Sequence, residues 1–327
     1  MNTKTISYTA ANSIPLKIFK NPDVGIALSQ GRIPPIHVQI IPTNRCNLNC
    51  KFCSCSNRDK SLELSLEQIK TLCKDLRDLG CKSATITGGG EPLMHPNIHE
   101  VLKLISNYNI KIGLVTNGLL LNKLTASDFE NITWCRISCS DDRSFDAVQE
   151  TLDVAVCEGK GVDWAFSYVA SGEFNPNNLT KYIHFANAHN FTHVRVVSDL
   201  CNLNSVPDMD LIRYWVKDAA WEIDLSKVIF QGRKQFDSGQ KDCWISLLKP
   251  LIGADGYIYP CCGVQYAHKE YERDNPETMR MGRVENIKEI YKTQTPFCGS
   301  NCYRCYYTNY KDILNQMMQS IDHVEFV

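Results

Sequence analysis

The sequence predicts an α/β fold on a parallel sheet: an open or partial (β/α)6 barrel followed by a small cysteine-rich module. Three observations predict it. Short β-rich runs alternate with helical patterns over residues 36–199. Their spacing fits right-handed strand–helix–strand units, which set strands in parallel and place ligands at the strands' C-terminal edges. Beyond residue 199 the alternation gives way to a compact stretch in which cysteines gather.

Strands are expected at 36–41, 83–87, 111–116, 133–138, 162–169 and 193–198. Helix 66–79 is introduced by Ser65, with Gln68 three residues on as a capping box, and is closed by Gly80. Further helical patterns cover 97–107, 121–130, 144–158 and 178–190, and one more covers 208–221. A hairpin is predicted at 251–259, turned by Ala254, Asp255 and Gly256, because an Asp-Gly pair between β-rich flanks is a strong hairpin signal. The implied division is an N-terminal extension (1–35), the barrel (36–235) and the C-terminal module (236–327).

With 327 residues, 43% hydrophobic and 22% charged, the chain can bury a sizeable core in one large or two unequal domains. A net charge of −1 argues against an electrostatic nucleic-acid footprint or a polybasic membrane surface. No apolar run approaches a membrane span, and the opening MNTKTISYT lacks a signal-peptide core, so a cytoplasmic location is expected. Nine of the 16 cysteines cluster at 46/50/53/55, 261/262 and 298/302/305. That grouping suits metal or cluster binding in a reducing compartment better than a disulfide framework.

Inside IPTNRCNLNCKFCSCS, Cys46, Cys50 and Cys53 stand at C-x3-C-x2-C spacing, with Phe52 just before the third. Chance gives this spacing roughly 0.04 times per chain of this cysteine content. Three thiolates can hold three irons of a 4Fe–4S cube and leave the fourth open to a ligand that is not protein. Zinc is the alternative, with Cys55 close enough to serve as a fourth ligand. One strand–helix unit later comes TITGGGEP, residues 85–92. Glycines at a strand end let a ligand approach the backbone, and Glu91 offers a carboxylate to an ammonium group.

CNLNCKFC followed by GGE resembles the radical S-adenosylmethionine (radical SAM) superfamily, over roughly residues 36–199. The resemblance implies a partial, TIM-like barrel in which S-adenosylmethionine chelates the open iron. An electron, from a reductant such as flavodoxin or ferredoxin, then cleaves it to a 5′-deoxyadenosyl radical that takes hydrogen from substrate. By the same resemblance Gly89, Gly90 and Glu91 bind the methionyl ammonium, and Thr116 and Asn117 sit where ribose contacts occur. Ser138 is implied at the carboxylate or ribose, and the segment from Val197 to Asp199 at the adenine.

Further on, Cys243, twelve residues, Gly256, four residues and Cys261 resemble the opening of the SPASM and twitch extensions of that superfamily. With Cys302 and Cys305 they imply a second, auxiliary 4Fe–4S cluster; the short form fits, since no cysteine follows Cys305. Cys298 offers a different ligand set, and a structural zinc on the same cysteines is the alternative. Cys262 is left over beside a proposed ligand. In radical SAM epimerases a free thiol returns a hydrogen atom to the substrate radical; the other reading is a small buried residue filling space.

The remaining cysteines (Cys73, Cys81, Cys135, Cys139, Cys157, Cys201) read as core, His95 as a loop residue, and the aromatic stretch 303–310 as packing around the module. The function expected is that of a radical SAM enzyme acting on an unactivated C–H bond, with epimerisation through Cys262 favoured. Dehydrogenation or cross-linking with electron transfer to the auxiliary cluster is the alternative. A non-catalytic zinc or cluster-binding scaffold is the rival from another class. Residues 1–35 are too short for a leader-binding domain, which favours a small polar metabolite such as an amino sugar or nucleoside and leaves peptides open.

Overall fold

A computed structural model describes residues 14–139, 143–150, 161–172, 174–202, 204, 207–220, 222–232, 237–239, 241–266, 276–302, 304–305 and 307–319. The six expected strands are present as β1 (His37–Ile40), β2 (Ser83–Ile86), β3 (Lys111–Thr116), β4 (Ile132–Ser138), β5 (Asp163–Ala170) and β6 (His193–Ser198). They pair in parallel and in chain order, with registers such as His37 opposite Ser83 and Ala165 opposite His193. A seventh parallel strand, β7 (Val228–Gln231), continues beyond β6. Four residues long and with no position fully buried, it leaves no strand signal in the sequence.

Helices pack between the strands. In α3 (Leu66–Asp78), Ile69, Leu72, Cys73 and Leu76 form the buried face. Ser65 and Gln68 form the capping box: the Gln68 amide donates to the Ser65 hydroxyl at 3.2 Å, and the Ser65 amide donates back to Gln68 at 3.0 Å. In α4 (Ile98–Asn107) the buried face is Ile98, Val101, Leu102 and Ile105. The pattern at 121–130 splits. A 3-10 turn, Leu121–Lys123, comes first, and then α5 (Ala126–Glu130) starts afresh because Thr125 and Asp128 make their own capping box. Residues 143–150 are helical; the rest of the helix expected to 158, and Cys157 with it, lies outside the described residues. Pro176 begins α6 (Pro176–Ala188), two residues before the expected start, with Asn175 as cap and proline where its missing N–H costs nothing. Tyr182 of this helix and Phe191 just after it pack on Phe166 of β5, at 5.8 Å and 4.6 Å between centroids. Then follow α7 (Met209–Ala219) and α8 (Ile245–Leu248).

The predicted hairpin forms as β8 (Leu251–Ile252) and β9 (Tyr257–Tyr259), with Gly256 at φ +76° in the turn. It does not stand apart. β8 runs parallel to β1, Gln39 opposite Leu251, and β10 (Gly282–Arg283) closes the end as β9's antiparallel partner. The sheet is therefore one ten-stranded ladder, β10-β9-β8-β1-β2-β3-β4-β5-β6-β7. The last helices are α9 (Ile287–Thr293) and α10 (Thr308–Met317). In the N-terminal extension, two short helices, α1 (Ile14–Phe19) and α2 (Pro22–Ser29), bury Ile14, Ile18, Val24 and Leu28. No helix of the described residues is long and apolar enough to cross a membrane.

Candidate active site at the strand ends

The cysteine loop and the glycine turn, next to each other at the ends of β1 and β2, are fastened by their backbones. The Gly90 amide donates to the Thr43 carbonyl at 3.1 Å and the Glu91 amide to the Arg45 carbonyl at 2.7 Å. A Cβ on Gly90 would run into the backbone of Asn44 and Arg45, and one on Gly89 into the Asn44 side chain. Glycine is required here by close approach, one residue before Cys46. Inside the loop, the Cys53 amide donates to the Cys50 carbonyl at 3.1 Å, and the Leu48 amide faces Cys46 Sγ at 3.4 Å. Arg58, which the sequence reading passed over, ties the loop shut: Nε donates to the Asn44 carbonyl at 2.8 Å and Nη1 reaches Cys53 Sγ at 3.5 Å.

Glu91 is 2% exposed. Its Oε1 accepts from the Thr116 hydroxyl at 2.7 Å and the Leu93 amide at 3.1 Å, and its Oε2 from the Asn117 amide at 2.8 Å. Burial raises its pKa, and these three donors pull the other way. The carboxylate thus locks the end of β2 to the end of β3, and Thr116 spends its hydroxyl there. Asn117 turns its side-chain amide onto Asn47 of the cysteine loop, at 2.7 Å. Glu91, Thr116, Asn117 and the cysteine loop form one hydrogen-bonded unit. Ser138 lies half-buried at the end of β4, opposite Ser167. Asp199 is buried, its carboxylate accepting from the Cys201 amide at 2.8 Å. Cys201, expected in the core, is only half-buried, and its thiol lies 3.6 Å from the Phe52 carbonyl, so the loop after β6 leans on the cysteine loop. Cys73, Cys81, Cys135 and Cys139 are buried. His95 is a buried strap whose Nε2 pairs with the Leu64 carbonyl at 2.9 Å.

Inside the curve of the sheet lies a cavity of about 550 Å³, lined by Phe52, Val197, Ser198, Cys262 and Tyr307 among others. The volume suits a small-molecule site. Cys262 Sγ is 3.3 Å from the Tyr307 hydroxyl, and Lys249 Nζ donates to the same hydroxyl at 3.2 Å. Lys249 carries no signal in the sequence, whereas Tyr307 belongs to the aromatic stretch 303–310 that the sequence reads as packing around the module. Two arginines in the cavity wall had a readable signal: Arg136 and Arg195 interrupt apolar strands, and Arg195 alternates with buried Val194 and Val196, so it faces the lumen.

Cys243, Cys261, Cys302 and Cys305 line a second, small cavity of about 40 Å³ at the base of the hairpin, beside α8 and the loop before α10. Two backbone bonds set the downstream loop against them, Gly239 N to Cys302 O at 2.8 Å and Cys305 N to Asp237 O at 2.6 Å. Burial pushes the Cys243 thiol up to about 12, with the neighbouring Cys302 and Cys305 adding to it. Burial likewise raises Cys302 to about 11, Cys305 and Cys298 contributing, and raises Cys261 well above its ordinary value, Cys262 and Cys243 contributing. Burial and the mutual repulsion of neighbouring thiolates favour the protonated thiols, and a cationic centre that binds the thiolates offsets both. Cys298 is exposed and outside this cavity. Among the described residues no three Cys, His, Asp or Glu side chains converge on a single metal-ion position.

Comparison with known proteins gives the arrangement a family. The Radical SAM superfamily pattern matches residues 40–147. The chain is 23% identical over 298 residues to a probable GTP 3′,8-cyclase of Methanothermobacter marburgensis, covering 80% of this chain and 93% of that protein. It is 37% identical over 90 residues to the antilisterial bacteriocin subtilosin biosynthesis protein AlbA of Bacillus subtilis, of which it spans only 20%. Its fold superposes on Streptococcus suis SuiB bound to S-adenosylmethionine with a TM-score of 0.55 at 17% identity, over 91% of this chain and 80% of the other. The matched segment carries the cysteine loop, the glycine turn and Glu91 on adjoining strand ends of a parallel α/β sheet, so it is residues 40–147 that carry the radical SAM superfamily pattern.

Proposed function

We propose that this radical SAM enzyme inverts a C–H centre of a small polar substrate in the sheet cavity, with Cys262 as hydrogen-atom donor. The observation that carries the reading is the Cys262 thiol at the cavity wall, beside the Tyr307 hydroxyl and outside the second cavity's lining. Members of the family use a 4Fe–4S cluster and S-adenosylmethionine, and the residues present fit both. Cys46, Cys50 and Cys53 would hold the first cluster, in a loop the glycine turn and Arg58 keep folded. Gly89, Gly90 and Glu91 border the loop, with Asn117, Ser138, Val197 and Asp199 at neighbouring strand ends, as a ligand on that edge requires. Cys243, Cys261, Cys302 and Cys305 would hold an auxiliary cluster.

When bound, the cluster and cofactor supply reductive cleavage to a 5′-deoxyadenosyl radical that removes a substrate hydrogen. The chain's own residues do the rest. Phe52 and Cys262 line the same cavity, so the substrate is enclosed between the cysteine loop and the thiol. In donation the S–H bond breaks and a C–H bond forms, leaving sulfur one hydrogen short. One electron from a flavodoxin- or ferredoxin-type reductant and one proton restore it. Tyr307, within hydrogen-bond reach of both Cys262 and Lys249, is placed to pass that proton. The relatives named as cyclases support ring formation as the second reading, in which a new ring bond, and not a solvent-derived hydrogen, forms at the radical carbon.

Anaerobically reconstituted protein is expected to hold about eight irons per chain and to release 5′-deoxyadenosine on dithionite reduction with S-adenosylmethionine. Cys302→Ala should keep about four irons and still cleave the cofactor. Loss of all iron from that variant would contradict two independent sites.

A further inference from the structure

The cavity that Cys262 faces is one-sided in charge. Lys17, Lys111, Arg136, Arg195 and Lys249 line it, beside His37, whose pKa burial lowers well below its ordinary value; among the described residues no aspartate or glutamate does. The cations come from separate elements: Lys17 from the first N-terminal helix, Arg136 from β4, Arg195 from β6, and Lys249 from the turn after α8. Arg136 and Arg195 flank β5, opposite Ala165 and Ser167 respectively. The groups sense one another. Burial lowers Lys249, with the charges of Arg136 and Arg195 adding to it, and burial with the charge of Lys249 brings Lys17 to about 8. Arg195 also keeps its buried Nε without a hydrogen-bond partner, and Gln231, on the adjacent strand, likewise keeps Oε1. Buried polar atoms are normally satisfied, so an unmet guanidinium N–H in a cavity wall points to a ligand acceptor.

Resting on the proposed reading only for where the reaction occurs, we infer that the substrate is a phosphate ester of a sugar or nucleoside, its phosphate held by Arg195 and Lys249. Phosphate fits better than carboxylate because several cations converge and a phosphate carries more charge and acceptor oxygens to share among them. An unphosphorylated amino sugar fits worse than the sequence suggested, since its ammonium would add a like charge to the cluster. With the phosphate anchored at the arginine wall, the carbon skeleton extends toward Cys262, on the same cavity surface.

The test is calorimetric titration of the anaerobic holoprotein with glucosamine 6-phosphate and uridine monophosphate, against glucosamine, uridine, malonate and tetraglutamate. Each phosphorylated probe should bind at least about 10-fold more tightly than its parent. Arg195→Leu and Lys249→Met should each cost about 10-fold or more, and Arg195→Lys should recover part of the loss by keeping the charge. Melting curves identify any variant that fails to fold, and Arg195→Lys then carries the comparison. Equal affinity for phosphorylated and parent probes, preference for malonate or tetraglutamate, or undiminished phosphate binding in both charge-removing variants overturns the inference. Binding is read without turnover, so its failure leaves 5′-deoxyadenosine release untouched, and failure of that release leaves the binding result standing.

Discussion

Cys50→Ala is expected to abolish 5′-deoxyadenosine release, by about 1,000-fold or more, and to lower iron from about eight to about four per chain. The reason is local. Cys50 contributes a backbone carbonyl to the loop, accepting from the Cys53 amide, and alanine keeps that bond. The loop's other ties, Arg58 to Asn44 and the glycine turn to Thr43 and Arg45, do not involve the Cys50 side chain. The substitution therefore keeps these backbone ties, and the melting midpoint should stay within a few degrees of the parent measured without iron. Iron and sulfide analysis with product chromatography checks both halves. Full iron content in the variant would mean that the cysteine binds no cluster.

The second large effect belongs to Cys262→Ala. The thiol is half-buried against the cavity, and its contact is the Tyr307 hydroxyl, which keeps Lys249 as a second partner when sulfur is gone. Cofactor cleavage should stay within about threefold of the parent, while formation of the inverted product falls by about 100-fold or more. Run in deuterium oxide, the parent should place one deuterium at the reacting carbon and the variant none. Inverted product formed by the variant at the parent's rate would assign the donor role elsewhere. A parent product free of deuterium would favour cyclisation or dehydrogenation.

The parallel strands were legible because each is a short β-rich run bounded by a helix with its own stop signal, as with Ser65 and Gly80 around α3. The two loops were legible because cysteine and glycine carry their meaning in local spacing. What stayed hidden depends on distant partners. β7 is too short to show a period, and β8 joins β1 across more than two hundred residues, a pairing that no local pattern encodes. Glu91 read as a free carboxylate for an ammonium group; its bonds to Thr116 and Asn117 arise only when β2 and β3 lie side by side. Tyr307 and Lys249 meet Cys262 from three separate segments. The arginines were the accessible part of that cavity: a charge between two buried valines in β6 faces inward, and the same alternation marks Arg136 in β4.

A cluster held by three cysteines leaves one iron to take the cofactor directly, and electron paramagnetic resonance reads that iron. Dithionite-reduced Cys302→Ala protein, simplified to the one cluster held by Cys46, Cys50 and Cys53, should give a reduced 4Fe–4S signal whose g values shift when S-adenosylmethionine is added. A signal unchanged by saturating S-adenosylmethionine, with no 5′-deoxyadenosine released, would contradict it.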